Sequence, residues 1–268
     1  MDLFWIYDIP TWQVGVGITL IFLTISFAGL VTSRPVIEKY FRPLQKDDQP
    51  VSAIFSAIGT LYGLLLALVA VATWQDYDEM HSVVDQESAS LIQLYRCVSV
   101  LNDPSHEAIL DDIKTYTKDI IEVEWPDQKH GVVAPSGNAL ITALHQKIAR
   151  YESKATTQPI IYTEAVTAFS AMIELRRMRI NASNLGIPKV FWLVIVGGAF
   201  LGIPILFFFN FPSFRVHLLF TAGYVVYLAG NVAIIAVLDN PLRGEISVSS
   251  DPFKTALSVM SSISSQQP

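Results

Sequence analysis

Charged residues, runs of bases and cysteine are all scarce in this chain. Charged side chains make up 16% of the residues, whereas soluble proteins carry about 25%. The formal net charge is -6 and no basic run occurs, so the positive surface that nucleic-acid binding requires is missing. Cys97 is the single cysteine, which excludes an intramolecular disulfide and a Cys-x-x-Cys metal site. We expect neither nucleic acid nor a cysteine-bound metal as a partner.

Four long apolar segments contain no Asp, Glu, Lys or Arg. They are residues 12–32, 51–74, 190–209 and 216–238. About 20 helical residues are needed to cross a hydrocarbon core of roughly 30 Å, and a charge at mid-helix costs about 3 kcal/mol on insertion. The first segment lacks the bases and cleavage site of a signal peptide, so it should remain in the mature chain. The sequence predicts an all-α membrane protein with four transmembrane helices and the lipid bilayer as a partner.

The polar insert between the second and third spans predicts a helical bundle. Neither Gly nor Pro occurs in residues 75–102, so span two should continue as one long helix. Its apolar residues recur at steps of three and four: Met80, Val84, Leu91, Leu94, Val98 and Leu101. Three further helices are expected, from Asp103-Pro104 to about Trp125, over residues 138–153, and over residues 160–185.

These patterns divide the chain into four regions. Residues 1–74 should hold spans one and two, 75–188 the extramembrane bundle, and 189–238 spans three and four. Residues 239–268 are predicted to form an interfacial tail. Its short amphipathic helix could lie either on the bilayer surface or against the bundle. Bases flank the spans in similar numbers on both sides, so the side of the membrane that carries the bundle stays open.

Two charges interrupt the apolar stripes of the insert. Glu87 falls on the stripe of the long helix, and Arg176 falls on a stripe of the last insert helix formed by Tyr162, Val166, Phe169, Ile173 and Ile180. An unpaired buried charge costs several kcal/mol, so Glu87 should pair with Arg176 or Arg177, with Arg96 as a further candidate. A register-setting ion pair and a functional gate or ion site are both open interpretations.

Span two also carries one narrow face of small residues. Its members are Ser52, Ser56, Gly59, Gly63 and Ala67, followed by Ala70. Such a face lets helices approach closely, and Gly198 and Gly202 repeat the spacing in span three. The same face could instead line a pore, where small side chains leave room for hydrated ions.

The sequence lacks the residue patterns that ion-coupled transport or catalysis would require. No ionisable residue lies near the middle of a span, which argues against a proton-coupled carrier. The insert histidines, His81, His106, His130 and His145, lack the i, i+4 spacing of a helical metal pair, and no phosphate loop or nucleophile elbow occurs. We predict no enzyme, no cofactor and no metal site.

Several short motifs together resemble the bacterial bestrophin-like family. They are Gly63-Leu64-Leu65-Leu66-Ala67 running into Trp74 and Tyr77, Leu94-Tyr95-Arg96, Arg176-Arg177, and Asp239-x-Pro241-x-x-Gly244. The resemblance implies a four-span subunit of the bacterial inner (plasma) membrane. Analogy with true bestrophins further implies a homopentamer, a central ion pathway lined by span two, and monovalent ions as candidate permeant species. True bestrophins carry a dense acidic calcium clasp after the last span, whereas only Glu245 and Asp251 follow Asp239 here, so calcium gating is not expected.

Two functions of different classes follow from these features. The first is a homo-oligomeric channel in which span two lines the pore and the apolar stretch from Leu64 to Val71 forms a constriction gated by wetting. The second is a non-conducting membrane scaffold or signalling subunit whose bundle binds an unknown protein partner. A stator-type proton channel subunit shares the two-plus-two layout, but it would need a partner that supplies the missing acidic residue.

Overall fold

The computed structural model describes residues 4–42, 47–101, 106–152, 159–183 and 186–265. The α-helices there are α1 Thr11–Val36, α2 Gln49–Ser99, α3 His106–Asp119, α4 Trp125–Lys129, α5 Ser136–Glu152, α6 Pro159–Ala182, α7 Lys189–Leu206, α8 Phe214–Leu238 and α9 Asp251–Ser265. A 3-10 turn, Phe4–Asp8, precedes α1, and π-helical turns follow α1 at Ile37–Phe41 and α3 at Ile120–Glu124. Contacts group the chain into two units. We call residues 1–75, 186–239 and 244–246 the span unit, and residues 76–185, 240–243 and 247–268 the bundle unit.

Four helices are long and apolar enough to cross a membrane. They are α1 with its π turn, α2, α7 and α8, with mean hydropathies between 1.9 and 2.3 over 18 residues. Because no charge interrupts their apolar windows, they match the four segments expected from the sequence. The predicted fold class, an all-α protein with four transmembrane helices and a helical insert, is confirmed.

The second span and the first insert helix form one element, α2, of 51 residues. No helix-breaking residue follows Trp74, and the helix passes through residues 74–80 without interruption. Its first half belongs to the span unit and its second half to the bundle unit. The six stripe residues from Met80 to Leu101 are buried, as their spacing predicts.

The span unit is held together by close contacts between helices. The Tyr62 hydroxyl of α2 donates to the Ile195 carbonyl of α7 at 2.5 Å, and Gly198 leaves no room for a Cβ beside the Tyr62 ring. A Cβ at Gly29 of α1 would lie 3.0 Å from the Phe207 ring. Glycines on α1 and α7 thus admit aromatic side chains at these crossings.

The last helix, α9, packs within the bundle unit. Phe253, Ala256 and Met260 of α9 are fully buried in the apolar core of the bundle unit. Of the two placements that its amphipathic pattern allowed, the structure has the one against the bundle. The same core contains Leu242 and Val248 from the segment before α9.

Several predicted helix boundaries shift in the bundle unit. The helix expected to end near Trp125 instead passes through the π turn and continues as α4 to Lys129. The predicted start at Asp103-Pro104 and the predicted ends at Ser153 and Leu185 lie outside the described residues.

Candidate functional site

A network of four charged side chains lies inside the bundle unit. Arg179 of α6 donates from Nε to Glu87 Oε2 at 2.7 Å and from Nη2 to Glu87 Oε1 at 2.9 Å. Its Nη2 also donates to Glu124 Oε2 at 3.0 Å, and its Nη1 donates to the Gln128 amide oxygen at 2.8 Å. Arg176 donates from Nη2 to Glu124 Oε1 at 2.5 Å. Two carboxylates therefore meet two guanidinium groups, and the network carries no net charge.

The local structure around Glu124 determines its position in this network. Glu124 ends the π turn after α3, and such a turn adds one residue to the helical register. Gly137, at the start of α5, packs so tightly that a Cβ there would overlap the Glu124 carboxylate and the Arg176 guanidinium. The neighbouring Asn138 Oδ1 accepts a hydrogen bond from Arg176 Nη1 at 2.9 Å. The network thus joins α2, α4, α5, α6 and the π turn.

Electrostatics keep Arg179 charged despite its burial. Burial alone would lower the pKa of Arg179, but the carboxylates of Glu87 and Glu124 raise it above its ordinary value. The guanidinium carbon also lies 5.5 Å from the Trp125 ring centroid and 5.6 Å from that of Phe253, distances that suit cation–π attraction. The side chains of Arg179 and Glu87 are inaccessible to solvent. Their ion pair can therefore fix the register of the helices, but it presents no surface for a substrate.

The structure corrects the expected partner of Glu87. The sequence pattern favoured Arg176 or Arg177, whereas the partner is Arg179. Arg176 is buried but pairs elsewhere in the network, and Arg177 is exposed. Arg96 is also exposed, on the wall of an open groove between α2 and α6.

The physical reason for this correction is the packing of α6. The predicted stripe followed bulky residues such as Ile173, which is 36% exposed. The buried face instead runs through Ala165, Ala168 and Met172, because small side chains allow neighbouring helices to approach closely. On that face Arg179, rather than Ile180, points into the core.

The small-residue face of α2 forms a second candidate site, in the span unit. Ser52, Ser56, Gly63 and Ala67 are exposed and Gly59 is half-buried. A Cβ at Gly59 or Gly63 would meet nothing within 4 Å. A different face of α2, through Tyr62, Leu66 and Val69 and roughly 90° around the helix from the small face, packs in an apolar cluster of the span unit. The small face is therefore not used for helix packing within the described part of the chain.

The residues of the family motifs occupy different environments. Trp74 is 56% exposed, and Tyr77 is half-buried against the bundle core. The Pro241 carbonyl accepts a hydrogen bond from the Val248 N–H at 2.9 Å. Gly244 has a φ of +82°, a left-handed conformation that favours glycine at this turn.

Asp239 accepts three hydrogen bonds within the span unit, a role that sequence reasoning did not anticipate. Its Oδ1 accepts from the Ile187 N–H at 2.5 Å, and its Oδ2 accepts from Trp192 Nε1 at 3.3 Å and from the Tyr7 hydroxyl at 3.4 Å. Burial raises the pKa of Asp239, and these donors oppose that shift. The sequence feature that could have indicated this role is the position of Asp239, a single acidic residue directly after an apolar span.

Long apolar helices combined with a helical bundle define the class of protein as a helical membrane protein. The family model of the Bestrophin-like domain matches residues 20–253. The chain therefore belongs to the bestrophin-like family, as its motifs indicated. No match was found among curated proteins.

Solved structures of a bacterial bestrophin homologue from Klebsiella pneumoniae share the fold. One is 12% identical with a TM-score of 0.71, and the alignment covers 94% of this chain and 99% of that one. A leucine-to-threonine variant of that homologue gives a TM-score of 0.72 at 12% identity, covering 95% of this chain and 100% of that one. A tryptophan-to-alanine variant gives 0.73 at 11% identity, covering 94% and 98%. At 11–12% sequence identity, these similarities show that the fold is shared.

Proposed function

We propose that this protein is a homo-oligomeric ion channel of the bestrophin kind in which copies of α2 surround the pore. The observation that carries this proposal is the exposure of α2. Only 11% of its most apolar 18-residue window is buried within the chain, against 39% for α8. A span that its own subunit covers so little must contact lipid, water or other copies of the chain over most of its surface.

The small face of α2 supplies the surface that would line the pore. From Ser52 to Ala67 it extends about 22 Å along the helix axis, which is most of the roughly 30 Å hydrocarbon core. The hydroxyls of Ser52 and Ser56 can contact hydrated ions, and Gly59 and Gly63 leave room for their water. We assign Ser52, Ser56, Gly59, Gly63 and Ala67 to the pore wall.

A neighbouring face of α2 supplies bulky apolar side chains. Leu64, Leu68 and Val71 are each more than half exposed, and they lie beside Gly63 and Ala67 on the helix surface. In a ring of α2 helices, the stretch from Leu64 to Val71 would narrow the pore with side chains that do not hold water. Such a constriction gates conduction by wetting and drying.

The remaining partners and the location follow from family membership. Apolar spans place the protein in a lipid bilayer, and the likeness to bacterial homologues supports the bacterial inner (plasma) membrane. Analogy with true bestrophins supports a pentamer and monovalent ions as the permeant species. Native mass spectrometry of the purified protein tests the subunit number, and a monomer would contradict a central pore.

Flux measurements in liposomes test the assignment of the pore wall. We expect Ser56→Leu and Gly63→Leu to reduce monovalent ion flux severalfold, because a bulky side chain would enter the pathway. Gly223→Leu in α8 is the matched control, since Gly223 is exposed and a Cβ there meets nothing within 4 Å, but the residue lies on a different span. Equal effects of all three variants would contradict the assignment.

An open groove in the bundle unit favours a second candidate function, a non-conducting scaffold that binds a protein partner. The groove lies between α2 and α6, with Ile92, Val100 and Ile161 as apolar walls and Arg96 and Glu164 as charges of opposite sign. Absence of flux for every monovalent ion tested, in a protein that is folded and oligomeric, would favour this candidate over the channel.

A further inference from the structure

One end of the span unit contains a small, half-open pocket where three helices meet. The end of α1, its π turn, the end of α7 and the start of α8 form its walls. Two arginines, Arg34 and Arg42, stand beside apolar side chains such as Leu30 and Phe207. The pocket is therefore basic on one side and apolar on the other.

The two arginines share a single carboxylate. Arg34 donates from Nε to Glu38 Oε1 at 2.8 Å, and Arg42 donates from Nη1 to the same oxygen at 3.3 Å. Two positive charges thus face one negative charge, and the cluster keeps an excess of one positive charge. The Arg42 Nε is buried and has no hydrogen-bond partner in the described part of the chain. An unsatisfied buried donor of this kind is costly unless a ligand or water accepts from it.

The geometry of Arg34 leaves its outer nitrogens available. Its guanidinium carbon lies over the Phe214 ring, 4.7 Å from the ring centroid, a distance that suits cation–π attraction and helps to hold the group in place. Its Nε is occupied by Glu38, but its terminal nitrogens make no hydrogen bond with the described residues. A guanidinium whose two terminal nitrogens are free to donate is suited to an anionic oxygen.

The start of α8 adds main-chain donors to the same wall. Ser213 precedes the helix, and its Oγ accepts from the Val216 N–H at 3.3 Å. The first hydrogen bond of the helical ladder runs from the His217 N–H to the Ser213 carbonyl at 3.0 Å. The N–H groups of Phe214 and Arg215 therefore have no partner within the helix, and the helix N-terminus carries partial positive charge. Helix N-termini of this kind bind phosphate groups.

We propose that this pocket binds the phosphate of an anionic ligand, held by Arg34, Arg42 and the N-terminus of α8, and that a membrane phospholipid supplies that phosphate. The pocket lies where α1 and α7 end and α8 begins, which is where headgroups meet the ends of membrane spans. Its apolar wall then contacts the glycerol and the first carbons of an acyl chain.

A neighbouring apolar groove supports a lipid rather than a free anion. The groove runs along the seam of α1 and α7 and is lined entirely by apolar residues, among them Phe22, Ile25, Phe200 and Ile203. Ile203 of the groove lies four residues before Phe207 of the pocket, about 6 Å along α7 and on the same side of it. The two sites share one seam, so a headgroup in the first would place an acyl chain beside the second.

Lipid binding by the purified protein tests the proposal. The purified protein is mixed with dioleoyl phosphatidylglycerol, dioleoyl phosphatidylcholine or inorganic phosphate, and binding is measured by native mass spectrometry and by the shift in unfolding temperature. We expect phosphatidylglycerol to bind at least severalfold more tightly than phosphatidylcholine. Arg34→Gln and Arg42→Gln should each weaken this binding about tenfold, since a charge-assisted hydrogen bond contributes at least that factor.

The control variants separate this site from general charge effects. Lys39→Gln removes one positive charge from the same π turn, but Lys39 is exposed and lies outside the pocket, so binding should not change. Glu38→Gln should strengthen binding, because it removes the carboxylate that competes with the ligand for both arginines. If Arg42→Gln does not fold, Glu38→Gln and Arg42→Lys are used to test the site instead.

Each outcome decides one part of the proposal. Binding of inorganic phosphate that matches phosphatidylglycerol, with the same losses in both arginine variants, would keep the phosphate site but assign it to a free anion. Equal binding of both lipids, or arginine variants that behave like Lys39→Gln, would overturn the site. A decrease in lipid binding by Glu38→Gln would show that the ion pairs act only in packing.

Discussion

Arg179 and Glu87 are joined by two parallel hydrogen bonds of 2.7 and 2.9 Å, and neither side chain reaches solvent. The pair links α6 to α2, and Glu124 extends it to the π turn after α3. Removing one partner of such a pair leaves an uncompensated buried charge, which typically costs about 3 to 5 kcal/mol. The pair is therefore a sensitive point for the stability of the bundle unit.

The first prediction concerns this pair. Glu87→Gln should lower the free energy of unfolding of the bundle unit by about 3 kcal/mol. Arg177→Gln, two positions from Arg179 but on the exposed face, should change it by less than about 0.5 kcal/mol. Thermal unfolding followed by tryptophan fluorescence measures both. Similar melting temperatures for the two variants would show that the buried pair contributes little.

The second prediction concerns Gly137, beside the Glu124 carboxylate. A Cβ there would overlap both Glu124 and Arg176, so Gly137→Ala should destabilise the protein by about 1 to 3 kcal/mol through displaced ion-pair partners. Gly230→Ala in α8 is the control, because a Cβ at Gly230 meets nothing within 4 Å and alanine favours a helix. An equal loss of stability in both variants would contradict the steric explanation.

The third prediction concerns the reactivity of Cys97 on the groove of the bundle unit. Burial raises the pKa of this thiol, and the Glu164 carboxylate raises it further. Because the thiolate is the reactive form, the rate of maleimide labelling should keep rising with pH beyond about 8.5, the pKa of a free cysteine. The rate measured against pH by mass spectrometry tests this expectation.

A charge variant checks the cause of that shift. Glu164→Gln removes the neighbouring carboxylate, so the pKa of Cys97 should fall and labelling at mildly alkaline pH should accelerate. Glu174→Gln removes a charge elsewhere on α6, from an exposed position that does not perturb this thiol, and should leave the rate unchanged. A pH profile identical to that of free cysteine in the unmodified protein would rule out the raised pKa.

The membrane spans and the long helix α2 could be predicted because their signals are local. A run of about 20 uncharged residues defines a span regardless of its neighbours, and the lack of Gly or Pro after Trp74 leaves no reason for a break. The burial of Glu87 followed from its position between Val84 and Leu91 at helical spacing. These inferences needed only the geometry of one helix.

The partner of Glu87 could not be predicted because it depends on how two helices pack. Arg176 and Arg179 lie about 60° apart on α6, so periodicity alone does not distinguish them. The choice is made by Ala165 and Ala168, whose small side chains turn a different face of α6 towards the core than its bulky residues suggested. Glu124 was missed for a related reason, since the π turn shifts its register by one residue.

The last prediction tests the proposal that the small face of α2 lines a water-filled pore. With Cys97→Ala as background, the chain has no other cysteine, so Ser56→Cys and Ile54→Cys each introduce a single reporter. Both positions are exposed in the subunit, but only Ser56 lies on the small face, and Ile54 lies about 160° around the helix from it. A charged thiol reagent needs water and a thiolate, so in liposomes it should modify Ser56→Cys at least tenfold faster and block ion flux there. Equal protection of both cysteines would place the small face against lipid or another subunit, because a thiol surrounded by hydrocarbon does not ionise.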